Sequence, residues 1–332
     1  MIRLQRYPRW LANMISVALA TFNGEKYINE QLESLLNQKV LPFELVVGDD
    51  GSTDGTINIV EKFRIRAPFP VHIHRNESTL GYAKNFLATA KRCQGKWVAF
   101  CDQDDVWLSG KLASASHAIS QNPSCCMVLQ TAWLCDKNLR PRGRVFPGSM
   151  AERNYGRSQQ YGFWVWPGFV KTVSKDMIDL LCDEPMPRSW YPKEVELTHD
   201  KWTCLIGNAL GGIVALNDPV ALYRRHEAAV TGNYDQKPTR DRINRALRVQ
   251  SDHYFFLEKV ARELGKYLEV LGERTQSPAW SFAFHDSAQE YYMLSQIQHL
   301  RGNLYSEPRV VRRLKTFAQI LVYGGYVGRP FH

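Results

Sequence analysis

Short apolar runs alternate with amphipathic segments over the first 120 or so residues, and this alternation restricts the fold more than any other feature. The four apolar runs are residues 15–20, 43–48, 70–74 and 96–101. Between them, apolar residues recur at helical spacing, as Ile28, Leu32 and Leu35 do. Strands that alternate with helices form parallel sheets covered on both faces. We therefore predict an α/β protein with a Rossmann-like, mostly parallel central sheet flanked by helices.

Polar residues follow each apolar run, at the point where the predicted strand ends. The run ISVALA leads into Thr21 and Asn23, FELVVG into Asp49 and Asp50, and PVHIH into Arg75. The fourth run, KWVAFC, leads into a cluster of aspartates. Sheets of this kind bind ligands at the carboxyl ends of their strands. The sequence therefore predicts a polar ligand site at one edge of the sheet.

Three aspartates, Asp102, Asp104 and Asp105, fall within four positions after the fourth run. One aspartate would suffice to cap a helix predicted over residues 109–120, but the other two carboxylates would then only repel each other. Mn²⁺ and Mg²⁺ bind carboxylate oxygens together with substrate phosphates. We therefore predict that these three aspartates hold Mn²⁺ or Mg²⁺ as half of a metal–diphosphate clamp.

The stretch DDGSTDGTINIVE offers a competing interpretation, because from Asp50 to Glu61 it has the spacing of an EF-hand calcium loop. A calcium loop follows a helix, whereas this stretch follows a β-branched run. We therefore favour a turn at a strand end, in which Asp49 and Asp50 bind a nucleoside. A helix capped by Thr53 or Asp54 would follow it.

Composition limits the partners and the compartment. The formal net charge is +9, which favours an anionic partner such as a phosphorylated ligand or a membrane surface. No nucleic-acid-binding signature accompanies this charge, so we expect no nucleic acid partner. The seven cysteines are scattered without a CxxC pair, as is typical of reduced thiols in a cytoplasmic protein. No apolar run reaches the roughly 18 residues that suggest a membrane-spanning helix.

Four segments, in this order and spacing, resemble family 2 glycosyltransferases with the GT-A fold: ISVALATFNGEKYINEQLESLLNQ, ELVVGDDGSTDGT, LGYAKNF and FCDQDDVW. The branch they resemble makes bacterial polysaccharide and lipopolysaccharide and includes rhamnosyltransferases. The resemblance is strong from residue 15 to about 112, weaker to about 232, and negligible beyond. It implies a nucleotide-sugar donor, either dTDP-rhamnose or a UDP-sugar, and a glycan or lipid-linked glycan acceptor.

The resemblance also assigns roles to individual residues. Asp102 and Asp104 match the DxD motif of the family, with Asp104 a direct metal ligand and Asp105 supporting. Asp50 matches an acid that contacts the nucleobase, and Lys84 matches a basic position facing the diphosphate. The complete set of implied donor-binding residues is Thr21, Asn23, Glu25, Asp49, Asp50, Lys84, Asp102, Arg225 and His226.

Two further segments of the resemblance carry alternatives. Family members that invert the anomeric centre need a general base, and ELTHDKW matches its motif, which implies Asp200 as the base with Glu196 as the second choice. These acids would also be explained by a surface helix whose acidic side chains are solvated. His199, between them, is expected to have a structural rather than a catalytic role. Residues 214–222 have the pattern of a strand, which Pro219 is expected to break. Arg225 and His226, in the following YRRHEAAVTG, would close over the diphosphate or form a solvated basic turn.

The chain divides into three predicted parts. Residues 1–13 form a basic tail, residues 14–235 the GT-A domain, and residues 236–332 a helical C-terminal region. Within the domain, residues 14–120 form the nucleotide-sugar half and residues 121–235 the acceptor half. A helix predicted near the C-terminus either lies on an anionic membrane, at the inner face of the plasma membrane, or packs on its own domain. Its apolar and basic residues are Val310, Leu314, Phe317, Leu321, Arg309, Arg312, Arg313 and Lys315.

The predicted function is inverting, metal-dependent transfer of a sugar to a growing cell-surface glycan of the lipopolysaccharide, O-antigen or capsule type. One alternative is a catalytically degenerate GT-A module that binds a nucleotide or glycan. A weaker alternative is a sugar nucleotidyltransferase, which would carry a glycine-rich basic loop after its first strand. The segment ATFNGEKY has a single glycine there.

Overall fold

One large sheet with flanking helices, followed by a helical hairpin, makes up the described part of the chain. The computed structural model describes residues 15–148, 154–157, 163, 165–191, 196–226, 251–307, 316 and 319. The strands are β1 Ile15–Thr21, β2 Leu45–Asp49, β3 Val71–Arg75, β4 Trp97–Asp102, β5 Val106–Trp107, β6 Met127–Cys135, β7 Pro141–Phe146, β8 Asn154–Tyr155, β9 Lys171–Ser174 and β10 Ile213–Arg224. The helices are α1 Ile28–Leu36, α2 Thr56–Arg66, α3 Tyr82–Arg92, α4 Lys111–Gln121, α5 Lys175–Cys182, α6 His199–Leu210, α7 Ser251–Arg274 and α8 Pro278–Ser306.

The sheet runs in the order β3-β2-β1-β4-β9-β6-β10-β5, and the predicted α/β fold class is confirmed. Its first four strands are parallel neighbours, as the alternating pattern of the sequence requires. Antiparallel pairs enter with β9, which lies between β4 and β6. The sheet therefore continues through both predicted halves of the domain, and the division near residue 120 stays a prediction.

Burial on both faces explains why the first strands are uniformly apolar. Every residue of β1 and β2 is buried, and α1, α2 and α3 follow the strands as the crossover helices. The register then places polar strand ends side by side. Thr21 pairs with Asp49, Asp49 pairs with Arg75, and Ala20 pairs with Asp102. The predicted polar edge is thus a consequence of strand register.

Strand β10 corrects one prediction. Pro219 was expected to break the strand, but β10 continues from Ile213 to Arg224. The register against β6 shifts on both sides of Pro219, and Thr131 Oγ1 donates a hydrogen bond to the Asn217 carbonyl there. Proline cannot donate a ladder hydrogen bond, and a bulge accommodates it without ending the strand. The strand therefore reaches Arg224, which lies at the polar edge.

The predicted helical C-terminal region is present as a hairpin of α7 and α8. The two helices approach closely at glycines: a Cβ at Gly265 would lie 2.7 Å from Tyr292, and one at Gly272 would lie 2.4 Å from His285. None of the helices in the described part of the chain is both long and apolar enough to cross a membrane. The basic tail and the segment from Arg309 to Leu321, except residues 316 and 319, lie outside the described residues.

Gly48, in the middle of β2, gives a first testable prediction. A Cβ there would lie 1.8 Å from Thr89 Oγ1 and 2.9 Å from Asn85 Oδ1. Neither group is free to move, because Thr89 donates to the Asn85 carbonyl and Asn85 Nδ2 donates to the Gly48 carbonyl. We expect Gly48→Ala to lower the free energy of unfolding by about 1–3 kcal/mol in urea denaturation. Gly110→Ala, where no atom lies within 4 Å, should cost less than about 1 kcal/mol. Equal losses would contradict the steric explanation.

Candidate active site

Gln103, the central residue of the DxD motif, joins that motif to the end of β1. Its Oε1 accepts hydrogen bonds from Thr21 Oγ1 at 2.6 Å and from the Phe22 backbone N–H at 3.0 Å. Its Nε2 donates to the Phe22 carbonyl at 3.0 Å. A Cβ at Gly24 would lie 2.2 Å from Gln103 Oε1, so only glycine fits beneath this side chain. The end of β1 and the DxD motif are therefore held together by three hydrogen bonds of one side chain.

The loop after β1 is fastened to the loop after β2. Asn23 accepts a hydrogen bond from the Thr53 N–H at 2.9 Å, and Glu25 accepts one from the Gly55 N–H at 2.9 Å. The backbone N–H of Asn23 donates to Ser52 Oγ at 2.9 Å. Asn23 adopts a left-handed backbone conformation with φ 47°, which asparagine tolerates better than most residues. The predicted donor-binding residues Asn23 and Glu25 thus build one wall of the site.

Asp49 and Asp50 are buried and hold the next loop in place. The Asp50 carboxylate accepts hydrogen bonds from Asn76 Nδ2 at 2.9 Å and from the backbone N–H groups of Leu80 at 2.7 Å and Gly81 at 2.9 Å. Asp49 accepts from Arg75 Nε at 3.2 Å. The loop after Asp50 follows a strand, β2, whereas an EF-hand calcium loop would follow a helix. These acids fix the approach of helix α3, and their contact with a nucleobase stays a prediction.

The three aspartates of the cluster occupy different environments. Burial raises the pKa of Asp102 to about 8, and the carboxylates of Asp104 and Asp200 add to this rise. Asp104 Oδ2 lies 2.7 Å from His226 Nε2. Asp105 is completely buried and accepts a hydrogen bond from the Arg224 N–H at 3.0 Å. Asp102 and Asp104 therefore face the accessible side, whereas Asp105 connects the cluster to β10.

Arg224, which the sequence did not single out, organises this corner. Its buried guanidinium donates to the Asp104 carbonyl at 2.7 Å and to Glu30 at 2.9 Å, and it lies 4.5 Å from the centre of the Tyr27 ring. Arg225, the residue predicted instead, donates to the Tyr223 hydroxyl at 2.6 Å. One feature could have identified Arg224: it is the last residue of strand β10, and that strand ends beside the aspartates. Arg224 holds the cluster in place, and the role of Arg225 at a diphosphate stays a prediction.

Helix α6 brings Asp200 to the same edge. Its carboxylate accepts hydrogen bonds from Thr198 Oγ1 and from the Lys201 N–H at 2.9 Å. Burial acts to raise the pKa of Asp200, but the nearby His199 and Lys171 and the Thr198 hydrogen bond hold it below its ordinary value. His199, the residue before Asp200, packs on Phe100, two residues before Asp102, and the charge of Asp200 contributes to the raised pKa of Asp102. Residues far apart in the sequence therefore meet in one site.

His199 is enclosed by aromatic rings, in keeping with the structural role expected for it. Its ring stacks on Phe86 with centroids 4.3 Å apart and meets Phe100 edge-on at 5.2 Å. Burial lowers the pKa of His199 to about 4, so it is neutral at physiological pH. It packs the N-terminus of α6 onto the sheet.

Lys84 and Glu196 form an ion pair at the rim of the site. The Lys84 ammonium lies 3.0 Å from the Glu196 carboxylate, and both side chains are about half exposed. Glu196 is exposed at the rim, whereas Asp200 is only partly exposed and follows His199, which packs on the strand that ends at Asp102. This difference favours Asp200 over Glu196 as a base.

The side chains of the site supply some of the oxygen ligands that a hard divalent cation needs. Among the described residues, no three His, Cys, Asp or Glu side chains converge on a metal position by themselves. Asp102 and Asp104 supply two carboxylates, which matches Mg²⁺ sites that are completed by substrate phosphates and water. Burial, together with the charges of Asp104 and Asp200, raises the pKa of Asp102, and a bound cation would offset the part that comes from those charges. The residues present therefore fit Mn²⁺ or Mg²⁺ bound jointly with a substrate diphosphate.

Comparison with known proteins agrees with this geometry. The family model described as glycosyl transferase family 2 matches residues 16–174, the part of the chain that contains β1 to β9. The chain contains a family 2 glycosyltransferase domain. This result confirms the resemblance drawn from the four sequence segments.

Relatives of the glycosyltransferase domain are sugar transferases, according to their names. It is 36% identical over 112 residues to the dTDP-rhamnosyl transferase RfbG of Shigella flexneri, covering 32% of this chain and 39% of RfbG. It is 36% identical over 138 residues to the poly(ribitol-phosphate) beta-N-acetylglucosaminyltransferase TarS of Staphylococcus aureus, covering 41% of this chain and 22% of TarS. The chain thus spans well under half the length of these two relatives.

A solved structure shares the fold over most of the chain. The crystal structure of TarS residues 1–349 in complex with UDP-GlcNAc superposes with a TM-score of 0.56 at 19% identity. The superposition covers 93% of this chain and 81% of that one. It therefore extends beyond the glycosyltransferase domain into the helical hairpin.

Proposed function

We propose that this protein is an inverting, metal-dependent glycosyltransferase that moves a sugar from a nucleotide-sugar donor to a growing cell-surface glycan. The observation that carries the proposal is the packing of His199, the neighbour of Asp200, on Phe100 of the strand that ends at Asp102. An acid that can take a proton is thereby brought near the acids that can hold a metal and a diphosphate. The carboxyl edge of a parallel sheet is also where such folds bind their ligands.

The proposed donor is dTDP-rhamnose or a UDP-sugar. The name of RfbG supports the first, and the UDP-GlcNAc complex of TarS supports the second. Both donors carry a diphosphate, which suits a site that contains Asp102, Asp104 and His226. The proposed acceptor is a glycan or a lipid-linked glycan, and the name of TarS, which mentions poly(ribitol-phosphate), supports a polymeric acceptor.

In the proposed mechanism, Asp200 accepts the proton of an acceptor hydroxyl as that oxygen attacks the anomeric carbon from the face opposite the leaving nucleoside diphosphate. Its pKa below the ordinary value keeps Asp200 ionised at neutral pH and available as a proton acceptor. The hydrogen bonds from Thr198 and Lys201 fix the orientation of the carboxylate. One displacement of this kind inverts the anomeric centre.

Asp102 and Asp104 would hold Mn²⁺ or Mg²⁺, which supplies charge neutralisation at the diphosphate when bound. His226 and Arg224 keep Asp104 in position through its carboxylate and its carbonyl. Asp105 would support the pair from its buried position against β10. Lys84 is available at the rim to contact a diphosphate on release from Glu196.

We further propose that the protein acts in the cytoplasm, at the inner face of the plasma membrane. The net charge of +9 supports contact with an anionic surface, where a lipid-linked acceptor would be found. Deletion of the residues after 305 should then reduce binding to anionic liposomes. Undiminished binding would exclude the C-terminal segment as the anchor.

Calorimetric binding of UDP-, dTDP- and GDP-sugars, with Mn²⁺ and with EDTA, tests the proposal. We expect one nucleotide class to bind only with the metal, and glycosyl transfer to follow when an acceptor is added. Metal-dependent binding without transfer to any glycan acceptor would favour the degenerate binding module. Absence of binding to every donor would refute the proposed function.

A further inference from the structure

A buried lysine lies directly behind the candidate base. Lys171 is the first residue of β9, and its side chain is completely buried. Its ammonium donates hydrogen bonds to the Asp200 carbonyl, to Thr203 Oγ1 at 2.9 Å and to Cys204 Sγ at 3.1 Å. All three acceptors lie in the first half of helix α6, and all three are uncharged.

This position is unfavourable for a cation unless an anion compensates it. A buried ammonium loses its hydration, and hydrogen bonds to uncharged atoms restore only part of that loss. The N-terminus of a helix carries partial positive charge, which adds to the cost. The single acid in the first turn of α6 is Asp200, and the Lys171 charge acts on its carboxylate. Asp200 is therefore placed to be the counter-ion of Lys171.

We propose that Lys171 is the positioning residue for Asp200, and that the two form a charge pair that holds the first turn of α6 and keeps the Asp200 carboxylate ionised and oriented. The hydrogen bond from Lys171 to the Asp200 carbonyl is observed, and the charge pair is the proposal: the ammonium and the carboxylate are not within ion-pair distance but act on each other across the first turn of α6. Its consequence for catalysis rests on the proposed function, in which Asp200 is the base.

A stability measurement without turnover tests the charge pair. Lys171→Met is introduced into the wild type and into Asp200→Asn, and urea denaturation is followed in EDTA. In the wild type we expect the substitution to lower the urea midpoint, because it leaves the Asp200 charge without its partner. In Asp200→Asn we expect it to raise the midpoint, because it removes an uncompensated buried cation. An equal change in both backgrounds would overturn the pair.

Lys175→Met is the matched control. Lys175 lies four residues further along the chain and pairs with Asp179 on its own helix. Its loss should change the midpoint equally in both backgrounds. Lys171→Gln removes the charge but keeps a hydrogen-bond donor. Measured in the same two backgrounds, it repeats the comparison without depending on how well methionine packs at this position.

The pH dependence of turnover tests the catalytic consequence. Turnover is measured at saturating donor, acceptor and Mn²⁺. Lys171→Met should move the acidic limb of the kcat–pH profile to higher pH by about one unit, because a nearby cation lowers the pKa of a carboxyl group by about that much. Lys171→Arg, which keeps the charge, should leave the limb near its original position. A purely structural lysine would lower kcat at every pH without moving the limb, and that result would overturn the positioning role.

The two measurements separate this proposal from the proposed function. Full turnover in Asp200→Asn would remove the base from the proposed function, while a background-dependent effect of Lys171→Met would still establish the charge pair. Loss of turnover in Asp200→Asn with no such dependence would support the base and overturn the pair.

Discussion

Replacement of Asp104 by alanine should abolish the metal-dependent part of donor binding. Asp104 provides a carboxylate that is partly accessible, oriented by His226 at 2.7 Å and accompanied by Asp102. Loss of a supporting residue alone typically costs 10–100-fold in metal affinity, so loss of a direct ligand should cost about 100-fold or more. We expect the dissociation constant of the donor measured with Mn²⁺ to rise to the value measured in EDTA.

Two variants sharpen this experiment. His226→Phe removes the partner of Asp104 and should weaken Mn²⁺-dependent donor binding by about 10–100-fold. Asp183→Ala is the control, because its carboxylate is 69% exposed and pairs with Lys91 far from the aspartate cluster. Wild-type donor affinity with Mn²⁺ in Asp104→Ala would contradict the clamp formed by Asp102 and Asp104.

The parts of the fold that depend on local pattern could be predicted from the sequence. The strands β1 to β4 match the four predicted runs to within about two residues, and helices lie between them as the helical spacing predicts, because both patterns report burial directly. The convergence of Thr21, Asp49 and Asp102 also follows, since parallel strands end at the same edge. The strand through Pro219 was predicted wrongly, because pairing with β6 outweighed the local tendency of proline to end a strand.

The side chains that support the site could not be predicted, because their roles depend on contacts between distant segments. Gln103 is defined by its hydrogen bonds to the end of β1, and Arg224 by its contacts with Asp104 and Glu30. Lys171 is an ordinary residue in the sequence until α6 folds over it. Sequence patterns reveal acids at strand ends, but they do not reveal which cation or amide holds each acid in place.

Replacement of Asp200 by asparagine should lower kcat by roughly 10²–10⁴-fold, the usual contribution of a general base, and leave donor affinity intact. Asparagine retains an oxygen that can accept the hydrogen bonds from Thr198 and Lys201, so the geometry of the first turn of α6 is preserved. It cannot take the proton of the acceptor hydroxyl. Asp200 is not among the residues proposed to hold the metal, so donor affinity with Mn²⁺ should stay close to the wild-type value.

The ion pair of Glu196 with Lys84 provides the matched comparison, because Glu196 is the other acid in the same motif. Glu196→Gln should change kcat by less than about tenfold, since the side chain is at the rim and its charge is already paired. Initial rates at saturating donor and acceptor, together with calorimetric donor binding, distinguish the two acids. If Glu196→Gln lost turnover and Asp200→Asn did not, the base would be Glu196, and Lys84 would be the cation beside it.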